Sequence, residues 1–266
     1  MEHKIDLNIL EQILVKAGDN LILPNFTKAD RNYKDDGSIV TEADIRVQEF
    51  IQDQLMKVYP EIKFLGEEMP ESEQRAMFIG KDSFWCLDPI DGTSNFAAGL
   101  PFFSTSLALI SDGKVVAAIV YDPVRRECFS STDDAPAVLN GQSMSKHAED
   151  IDLSKALAMV DFKRLVPKLR ARLVKDLPFA SQRSLGSVAL EWCWLAAGRF
   201  HVYLHGRQKA WDYAAGAFIF SKTAGEACTL QGEDILNPNW VAKSAVAAKN
   251  PELFKKWCDY LQVPTS

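Results

Sequence analysis

Two aspartates stand three residues apart at the end of an apolar run, in the segment Trp85-Cys86-Leu87-Asp88-Pro89-Ile90-Asp91. Pro89 stiffens the turn between them, so both carboxylates can point into one pocket. Carboxylate, carbonyl and water oxygens are the ligands that Mg²⁺ prefers. The segment therefore predicts a divalent-cation site in which Asp88 could bridge two ions, while Asp91 binds one and the carbonyl of Ile90 another.

Gly92, Thr93 and Ser94 follow directly and predict the start of a short helix. Free backbone N–H groups at a helix start form a cradle for phosphate, which would place a phosphate site beside the metal site. An Asp-Gly turn followed by a helix-capping Thr93 or Ser94 explains the same residues without any ligand. Both interpretations remain open on this segment alone.

Three more acidic residues come with local patterns of their own. Glu67 closes a short strand in Gly66-Glu67-Glu68, Asp212 opens a helix in Trp211-Asp212-Tyr213-Ala214-Ala215-Gly216, and Asp44 follows Thr41 by three residues. Each of these residues also has an explanation that involves no ligand. Surface Glu pairs such as Glu67 with its neighbour are usually solvated, and an acid such as Asp212 is favoured in the first turn of a helix. Thr41 with Asp44 approximates a capping box. The functional alternative for Asp44 is to accept a hydrogen bond from Thr93, which would help that hydroxyl orient or deprotonate an attacking water.

Hydrophobic periodicity predicts the elements that must position these residues. Apolar residues at helical spacing predict helices at 5–23, 43–58, 163–176, 187–197, 211–224 and 251–261. Short apolar runs predict strands at 62–65, 84–87, 103–110, 115–121, 126–130, 137–139, 156–160, near 183, and at 200–204, 227–230 and 244–248. Turn residues stand at Asp36-Gly37-Ser38, and Ser111-Asp112-Gly113-Lys114 predicts a hairpin. We expect an α+β lobe at 1–140 with most metal ligands and an α/β lobe at 141–266 with Asp212 and substrate contacts.

The bulk composition narrows the classes of function. The chain has 266 residues, 47% of them hydrophobic, which is enough for a large core. A net charge of −6 disfavours nucleic acid and anionic membranes as partners, but it suits an enzyme whose bound cations supply positive charge. The five cysteines form no Cys-x-x-Cys pair, so neither disulfides nor zinc sites are predicted. Without a signal-like leader or an apolar run of bilayer length, we expect a cytoplasmic location.

Taken together, the acidic segments resemble a known family signature. Gly66-Glu67-Glu68, Asp88-Pro89-Ile90-Asp91-Gly92-Thr93 and Trp211-Asp212-x-Ala214-Ala215-Gly216 occur in the order typical of the inositol monophosphatase family, which consists of lithium-sensitive, magnesium-dependent phosphatases. The supporting segments Asp36-Gly37-Ser38-x-Val40-Thr41-x-Ala43-Asp44 and Gly186-Ser187-x-Ala189-Leu190 are also present. The resemblance spans nearly the whole chain.

This resemblance implies a fold and a set of cofactors. The fold would be a mixed α+β and α/β protein, an αβαβα layered sandwich of the inositol monophosphatase and sugar phosphatase type, usually a homodimer, with the metals between its lobes. The cofactor would be Mg²⁺, with two or three ions per site, Mn²⁺ as a substitute and Li⁺ as an inhibitor.

The resemblance also implies a role for each matching residue. Glu67, Asp88 and the Ile90 carbonyl would hold the first ion, and Asp88, Asp91 and Asp212 the second, while Glu67 would help position the water for a third. Phosphate would be held by backbone amides of Gly92 and Thr93, with Thr93 and Asp44 as an activating pair. The substrate would further contact Gly186, Ser187, Val188, His205, Asp91 and Asp212.

The chain departs from the family pattern at His205. In inositol-preferring members, the position seven residues before Asp212 usually carries a Glu that receives hydrogen bonds from inositol hydroxyls. The segment 201–209 is also basic, so Arg207 and Lys209 could meet an additional anionic group. A solvated loop is the alternative interpretation of this segment, and Val188 stands where a smaller Ala is common.

The predicted function is a Mg²⁺-dependent phosphomonoester hydrolase for a small polyol phosphate, with myo-inositol-1-phosphate as the first candidate. A metal-activated water would attack phosphorus in line, as in other two-metal sites. Enzymes of the same fold act on fructose-1,6-bisphosphate, histidinol phosphate or 3′(2′),5′-bisphosphate nucleotides, and the fold cannot choose among them. The alternative from another class is a regulatory, partner-binding protein with incidental phosphatase activity.

Overall fold

The computed structural model describes residues 5–28, 32–33, 39–80, 82–144 and 151–264. The predicted turn Asp36-Gly37-Ser38 lies outside the described residues. No helix within those ranges is long and apolar enough to cross a membrane.

The described residues form eight α-helices and fourteen strands. The helices are α1 Leu7–Ala17, α2 Glu42–Val58, α3 Glu71–Ile79, α4 Thr93–Ala98, α5 Pro167–Lys175, α6 Val188–Ala196, α7 Ala210–Ser221 and α8 Pro251–Leu261. The strands are β1 Asn32–Tyr33, β2 Ile39–Val40, β3 Lys63–Gly66, β4 Phe84–Asp91, β5 Ser104–Ser111, β6 Lys114–Asp122, β7 Glu127–Thr132, β8 Val138–Leu139, β9 Gln142–Ser143, β10 Leu157–Asp161, β11 Ser181–Arg183, β12 Val202–Gln208, β13 Glu226–Cys228 and β14 Lys243–Ala248. Nearly every strand predicted from short apolar runs is therefore present.

Two large sheets and three helical layers build the molecule, and β1 pairs with β2 in a separate two-stranded sheet. The first sheet has the order β3-β4-β5-β6-β7-β8-β9, and the second has the order β11-β10-β12-β14-β13. Helices α1 and α2 pack on the outer face of the first sheet, α6 and α7 fill the space between the sheets, and α5 and α8 cover the second sheet. This αβαβα sandwich is the predicted fold class. The lobe boundary at 140 stays a prediction.

The helix predicted at 163–176 begins only at Pro167, after a 3₁₀ turn at Phe162–Arg164 that the Asp161 side chain caps.

Two further helix assignments need correction. The first helix ends at Ala17, and a π-helical turn at Gly18–Ile22 and a 3₁₀ turn at Leu23–Asn25 follow it. A Cβ at Gly18 would lie 2.9 Å from the ring of Tyr121, so a tertiary contact with β6 shapes a segment that local spacing assigns to one helix. Helix α3 was missed because Gln74 is its one buried residue, which leaves no apolar stripe to detect.

The basic segment 201–209 is not a solvated loop, because β12 runs through it to Gln208. Val202 and Leu204 pack into the core under α5 and α8, while Tyr203 packs against the layer formed by α6 and α7. This alternation is that of a strand buried on both faces. The strand predicted at 200–204 therefore extends to Gln208, and the loop interpretation was wrong because the polar residues after Leu204 give no apolar signal for the rest of the strand.

Candidate active site

The candidate site forms where β4 ends. All eight residues of this strand are buried, and its pairing with β5 shifts register between Asp88, opposite Ser106, and Asp91, opposite Ser104. The irregularity coincides with Pro89, which has no N–H for the ladder, and the hydroxyl of Thr105 donates to the Pro89 carbonyl at 2.9 Å. Such bulges re-aim side chains next to functional sites. Here the bulge separates the two predicted metal-binding carboxylates.

Asp88 carries an uncompensated carboxylate. It is 2% exposed, and its Oδ1 has no hydrogen-bond partner among the described residues. Burial first, and then the charges of Glu67, Asp91 and Asp212, raise the pKa of Asp88 well above its ordinary value. A buried anion without donors is costly unless a cation compensates it.

Asp91 differs because the α6 end of the site supplies it with donors. Its carboxylate accepts from the Ser187 hydroxyl at 2.6 Å and from the backbone N–H groups of Val188 at 3.1 Å and Ala189 at 2.7 Å. Burial still raises the pKa of Asp91 to about 7. Asp91 therefore joins β4 to the first turn of α6, where the helix dipole also favours a negative charge.

Asp212 and Glu67 complete the group of acids. Asp212 lies in the first turn of α7 and accepts the backbone N–H of Lys209 at 2.8 Å. Burial, followed by the charges of Glu67 and Asp91, raises the pKa of Asp212 well above its ordinary value. Glu67 follows β3, and the side-chain amide of Gln74 donates to its carbonyl at 2.7 Å. The four carboxylates thus act on one another electrostatically.

Asp44 has both contacts that the sequence suggests. Its Oδ2 accepts from the backbone N–H of Thr41 at 2.8 Å and from the Thr41 hydroxyl at 2.6 Å, as in a capping box. Its Oδ1 lies 3.1 Å from the Thr93 hydroxyl, which also lies 3.0 Å from the Ile90 carbonyl. Asp44 is fully buried, and burial raises its pKa to about 6. Capping and contact with Thr93 are therefore compatible.

The predicted phosphate loop packs against the α6 loop. Gly92 has a φ of 93°, and a Cβ there would lie 3.1 Å from the carbonyls of Gly186 and Phe102. The Asn95 amide donates to the Leu185 carbonyl at 2.6 Å and to that of Phe102 at 2.7 Å. These contacts bring the starts of α4 and α6 together at the carboxylate cluster.

The donor set fits a hard divalent cation. Within the described ranges, no three His, Cys, Asp or Glu side chains are already arranged around a single point that could hold an ion. Burial and the charges of neighbouring acids nevertheless raise the pKa values of Asp88 and Asp212, and a buried carboxylate oxygen of Asp88 lacks a donor. An all-oxygen set of this kind suits Mg²⁺. The ligand and catalytic roles of these residues stay predictions.

His205 pairs with an aspartate outside the carboxylate cluster. It is 4% exposed and pairs with Asp161 of β10, with 3.0 Å between His205 Nε2 and Asp161 Oδ2. Of the two basic residues predicted to meet an anion, Arg207 is exposed, and Lys209 Nζ lies 4.5 Å from the Trp240 ring centroid. The substrate contact of His205 stays a prediction, and no local pattern around His205 indicates its pairing with Asp161.

Comparison with known proteins agrees with this architecture. The model of the inositol monophosphatase family matches residues 7–262. The chain is 32% identical to Nus factor SuhB of Pasteurella multocida, covering 96% of the chain and 95% of that protein. It is 30% identical to the fructose-1,6-bisphosphatase/inositol-1-monophosphatase of Thermotoga maritima, covering 87% and 86%.

A solved structure gives the same result. The crystal structure of SaIMPase-II with inositol monophosphate bound superimposes with a TM-score of 0.77 at 25% identity, covering 96% of this chain and 93% of that one. Matches over nearly the full length, in sequence and in fold, agree with the order of the acidic motifs. The chain is a member of the inositol monophosphatase family.

Proposed function

We propose that the chain is a Mg²⁺-dependent phosphomonoester hydrolase that acts on a small polyol phosphate, with myo-inositol-1-phosphate as the first substrate. Membership of a phosphatase family supports the reaction class. The observation that carries the proposal is the buried Asp88 oxygen without a donor, set among carboxylates that raise its pKa. Catalysis by bound cations accounts for that arrangement.

Different residues of the chain would bind the metal and the phosphate. Glu67, Asp88, Asp91, Asp212 and the Ile90 carbonyl would hold Mg²⁺, which lowers the pKa of a bound water and stabilises the leaving oxygen. The phosphate would lie against the backbone amides at the start of α4.

Thr93 and Asp44 form the proton path in this proposal. The Thr93 hydroxyl can pass its proton to Asp44 Oδ1, 3.1 Å away, while its oxygen accepts a proton from the attacking water. With a pKa of about 6, Asp44 is mainly a carboxylate at neutral pH and can serve as the acceptor. The Ile90 carbonyl, 3.0 Å from the same hydroxyl, is the alternative acceptor for its single proton.

Phosphate release on a substrate panel tests this proposal. The panel contains inositol-1-phosphate, histidinol phosphate, fructose-1,6-bisphosphate and adenosine 3′,5′-bisphosphate, each with and without Mg²⁺ and with added Li⁺. We expect Mg²⁺-dependent turnover with the highest kcat/KM on inositol-1-phosphate, and inhibition by Li⁺. Metal-independent turnover, or no turnover by folded protein on any substrate, would refute it.

The proposal extends to the cofactors and the assembly. Two or three Mg²⁺ ions act at each site, as in other multi-metal phosphatases, Mn²⁺ substitutes for Mg²⁺, and the protein is a cytoplasmic homodimer. Titration calorimetry counts the ions, and light scattering at several protein concentrations measures the assembly.

A second candidate function is the binding of a macromolecular partner. A relative that is 32% identical over 96% of this chain is named a Nus factor, and that name is what favours this candidate. An Asp88→Asn variant that cannot hydrolyse phosphate separates the two functions in a strain lacking the gene. Full rescue by this variant would favour partner binding, whereas failure to rescue, at normal protein level, would favour catalysis.

A further inference from the structure

Both ring nitrogens of His205 are engaged. The backbone N–H of Arg207 lies 3.2 Å from His205 Nδ1, and His205 Nε2 lies 3.0 Å from Asp161 Oδ2. A backbone N–H can only donate, so Nδ1 accepts and the proton of the ring lies on Nε2, which donates to Asp161. His205 therefore has no free acceptor to offer to a substrate hydroxyl.

Asp161 lies at the edge of the second sheet that faces the site. It is the last residue of β10 and the register partner of His205 on the parallel strand β12. Beyond β12 the chain enters α7, whose first turn carries Asp212. Ligands of α/β sheets bind outside the carboxyl ends of parallel strands, and the side chain of Asp161 is 21% exposed whereas that of His205 is 5% exposed.

The turn after β10 ties Asp161 to the carboxylate cluster. The backbone N–H of Arg164 donates to Asp161 Oδ1 at 3.3 Å, and the positive charge of Arg164 lowers the pKa of Asp212 against the larger effect of burial. A Cβ at Gly206 would lie 2.0 Å from the Arg164 carbonyl. The turn is thus packed tightly against β12, within electrostatic reach of Asp212.

The loop before α6 borders the pair on another side. Glu191 Oε1 accepts the backbone N–H groups of Leu185 at 2.9 Å and Gly186 at 3.0 Å. The charge of Asp161 acts on Glu191. The pair formed by Asp161 and His205 therefore lies within electrostatic reach of the carboxylate that holds the Gly186 loop, which belongs to the predicted substrate-binding segment.

Asp161 is an anionic acceptor that can take a further hydrogen bond. Burial raises its pKa, but the hydrogen bond from His205 and those from the backbone N–H groups of Lys163 and Arg164 lower it below its ordinary value. Among the described residues, Oδ1 accepts from those two N–H groups and Oδ2 accepts from His205. Each carboxylate oxygen can accept two hydrogen bonds, so Oδ2 retains capacity for a substrate hydroxyl.

We propose that Asp161, held in place by His205, is a specificity-determining residue that accepts a hydrogen bond from a hydroxyl of the leaving group. The carboxylate that accepts hydrogen bonds from the polyol hydroxyls would then lie on β10, whereas inositol-preferring members of the family usually carry it at the position of His205 on β12. This assignment rests on the proposed phosphatase function and names its substrate class as phosphate esters with a hydroxyl close to the ester oxygen.

Paired substrates test the assignment. We compare wild type, Asp161→Ala, Asp161→Asn and the exposed control Asp134→Ala on inositol-1-phosphate and on p-nitrophenyl phosphate, whose leaving group has no other hydroxyl. Loss of a hydrogen bond to a charged acceptor is expected to lower kcat/KM for inositol-1-phosphate about tenfold, mainly through KM. With p-nitrophenyl phosphate we expect a change of at most about twofold, because the lost contact does not involve the phosphate.

Asp161→Asn keeps the side-chain volume and an oxygen that can accept from His205, so it tests the assignment if Asp161→Ala fails to fold. Asp134→Ala should match wild type on both substrates. Equal losses on both substrates, or no loss on either, would overturn the assignment. Absence of wild-type turnover on both would instead overturn the proposed function, and the assignment with it.

Discussion

Asp88 and Asp91 stand three residues apart on one strand, yet their surroundings differ. Asp91 accepts three hydrogen bonds from Ser187, Val188 and Ala189 of the α6 region, whereas Asp88 Oδ1 has no donor within the described part of the chain. Both are nearly fully buried. One carboxylate is compensated largely by the protein, and the other is left for a cation.

The two carboxylates therefore perform different tasks. Asp91 holds the α6 loop against β4 and can still offer a lone pair to an ion. Asp88 stabilises nothing among the described residues through Oδ1, so its presence costs folding free energy when no cation is bound. A buried carboxylate oxygen that lowers the stability of the metal-free protein is expected at a functional site.

The largest expected effect is the loss of activity in Asp88→Asn. This variant removes the carboxylate proposed to bridge two ions, so kcat should fall by more than about a thousandfold, in line with the loss of a preorganised electrostatic group. Phosphate release under saturating Mg²⁺ measures it, with the exposed Asp134→Asn as control. Wild-type turnover by Asp88→Asn would contradict the metal-site assignment.

The second prediction compares the same substitution at both positions without metal. In Asp91→Asn the amide cannot accept from all three donors, whereas Asp88→Asn removes an uncompensated charge. Asp88→Asn should therefore be more stable than Asp91→Asn by about 2 kcal/mol in urea unfolding with EDTA. Equal stabilities, or the reverse order, would remove the distinction between the two carboxylates.

How far the sequence predicts this site depends on the separation of the partners. The acidic residues of Asp88 to Thr93 and the Thr41–Asp44 capping box are local patterns, and the structure brings them together through the contact between Asp44 and Thr93. The bond between Ser187 and Asp91 joins residues 96 positions apart. Pairing of this kind is a tertiary property that no local spacing encodes.

The same limit applies to the fold. The hairpin at Ser111 to Lys114 follows from turn chemistry, whereas the layered architecture is what the family resemblance implies. The turn at Gly18 depends on the contact with Tyr121 of β6, and the pair of Asp161 with His205 depends on the pairing of β10 with β12. Local patterns therefore predict the acids of the candidate site, whereas the partners of these acids depend on tertiary contacts.

The third prediction concerns pH without metal. The pKa values of Asp44, about 6, and Asp91, about 7, lie above the ordinary 3.8. The folded protein then holds protons that the unfolded chain has released, so this contribution to stability is lost as pH rises from about 4 to about 7. Melting temperatures with EDTA should fall between pH 5 and pH 8.

Mg²⁺ should remove most of this fall, because the cation stabilises the charged carboxylates. The slope should also be smaller in Asp91→Asn, which lacks one of the titrating groups. A metal-free melting temperature that rises steadily across the interval would show that other groups control the pH dependence.

The smallest expected effect comes from Ser187→Ala. Its hydroxyl donates to Asp91 at 2.6 Å and is fully buried, so its removal should cost about 1–2 kcal/mol of stability. Urea unfolding with Mg²⁺ measures it, with the exposed Ser94→Ala as control. A Ser187→Ala variant as stable as the control would show that the two backbone N–H groups hold Asp91 without the hydroxyl.

The central claim is that the unpaired Asp88 carboxylate exists to bind a cation. Titration calorimetry of Mg²⁺ into metal-free wild type and Asp88→Asn tests it without any substrate. We expect saturable binding by wild type and binding at least about tenfold weaker by Asp88→Asn. Equal affinity and stoichiometry in the two proteins would contradict the account.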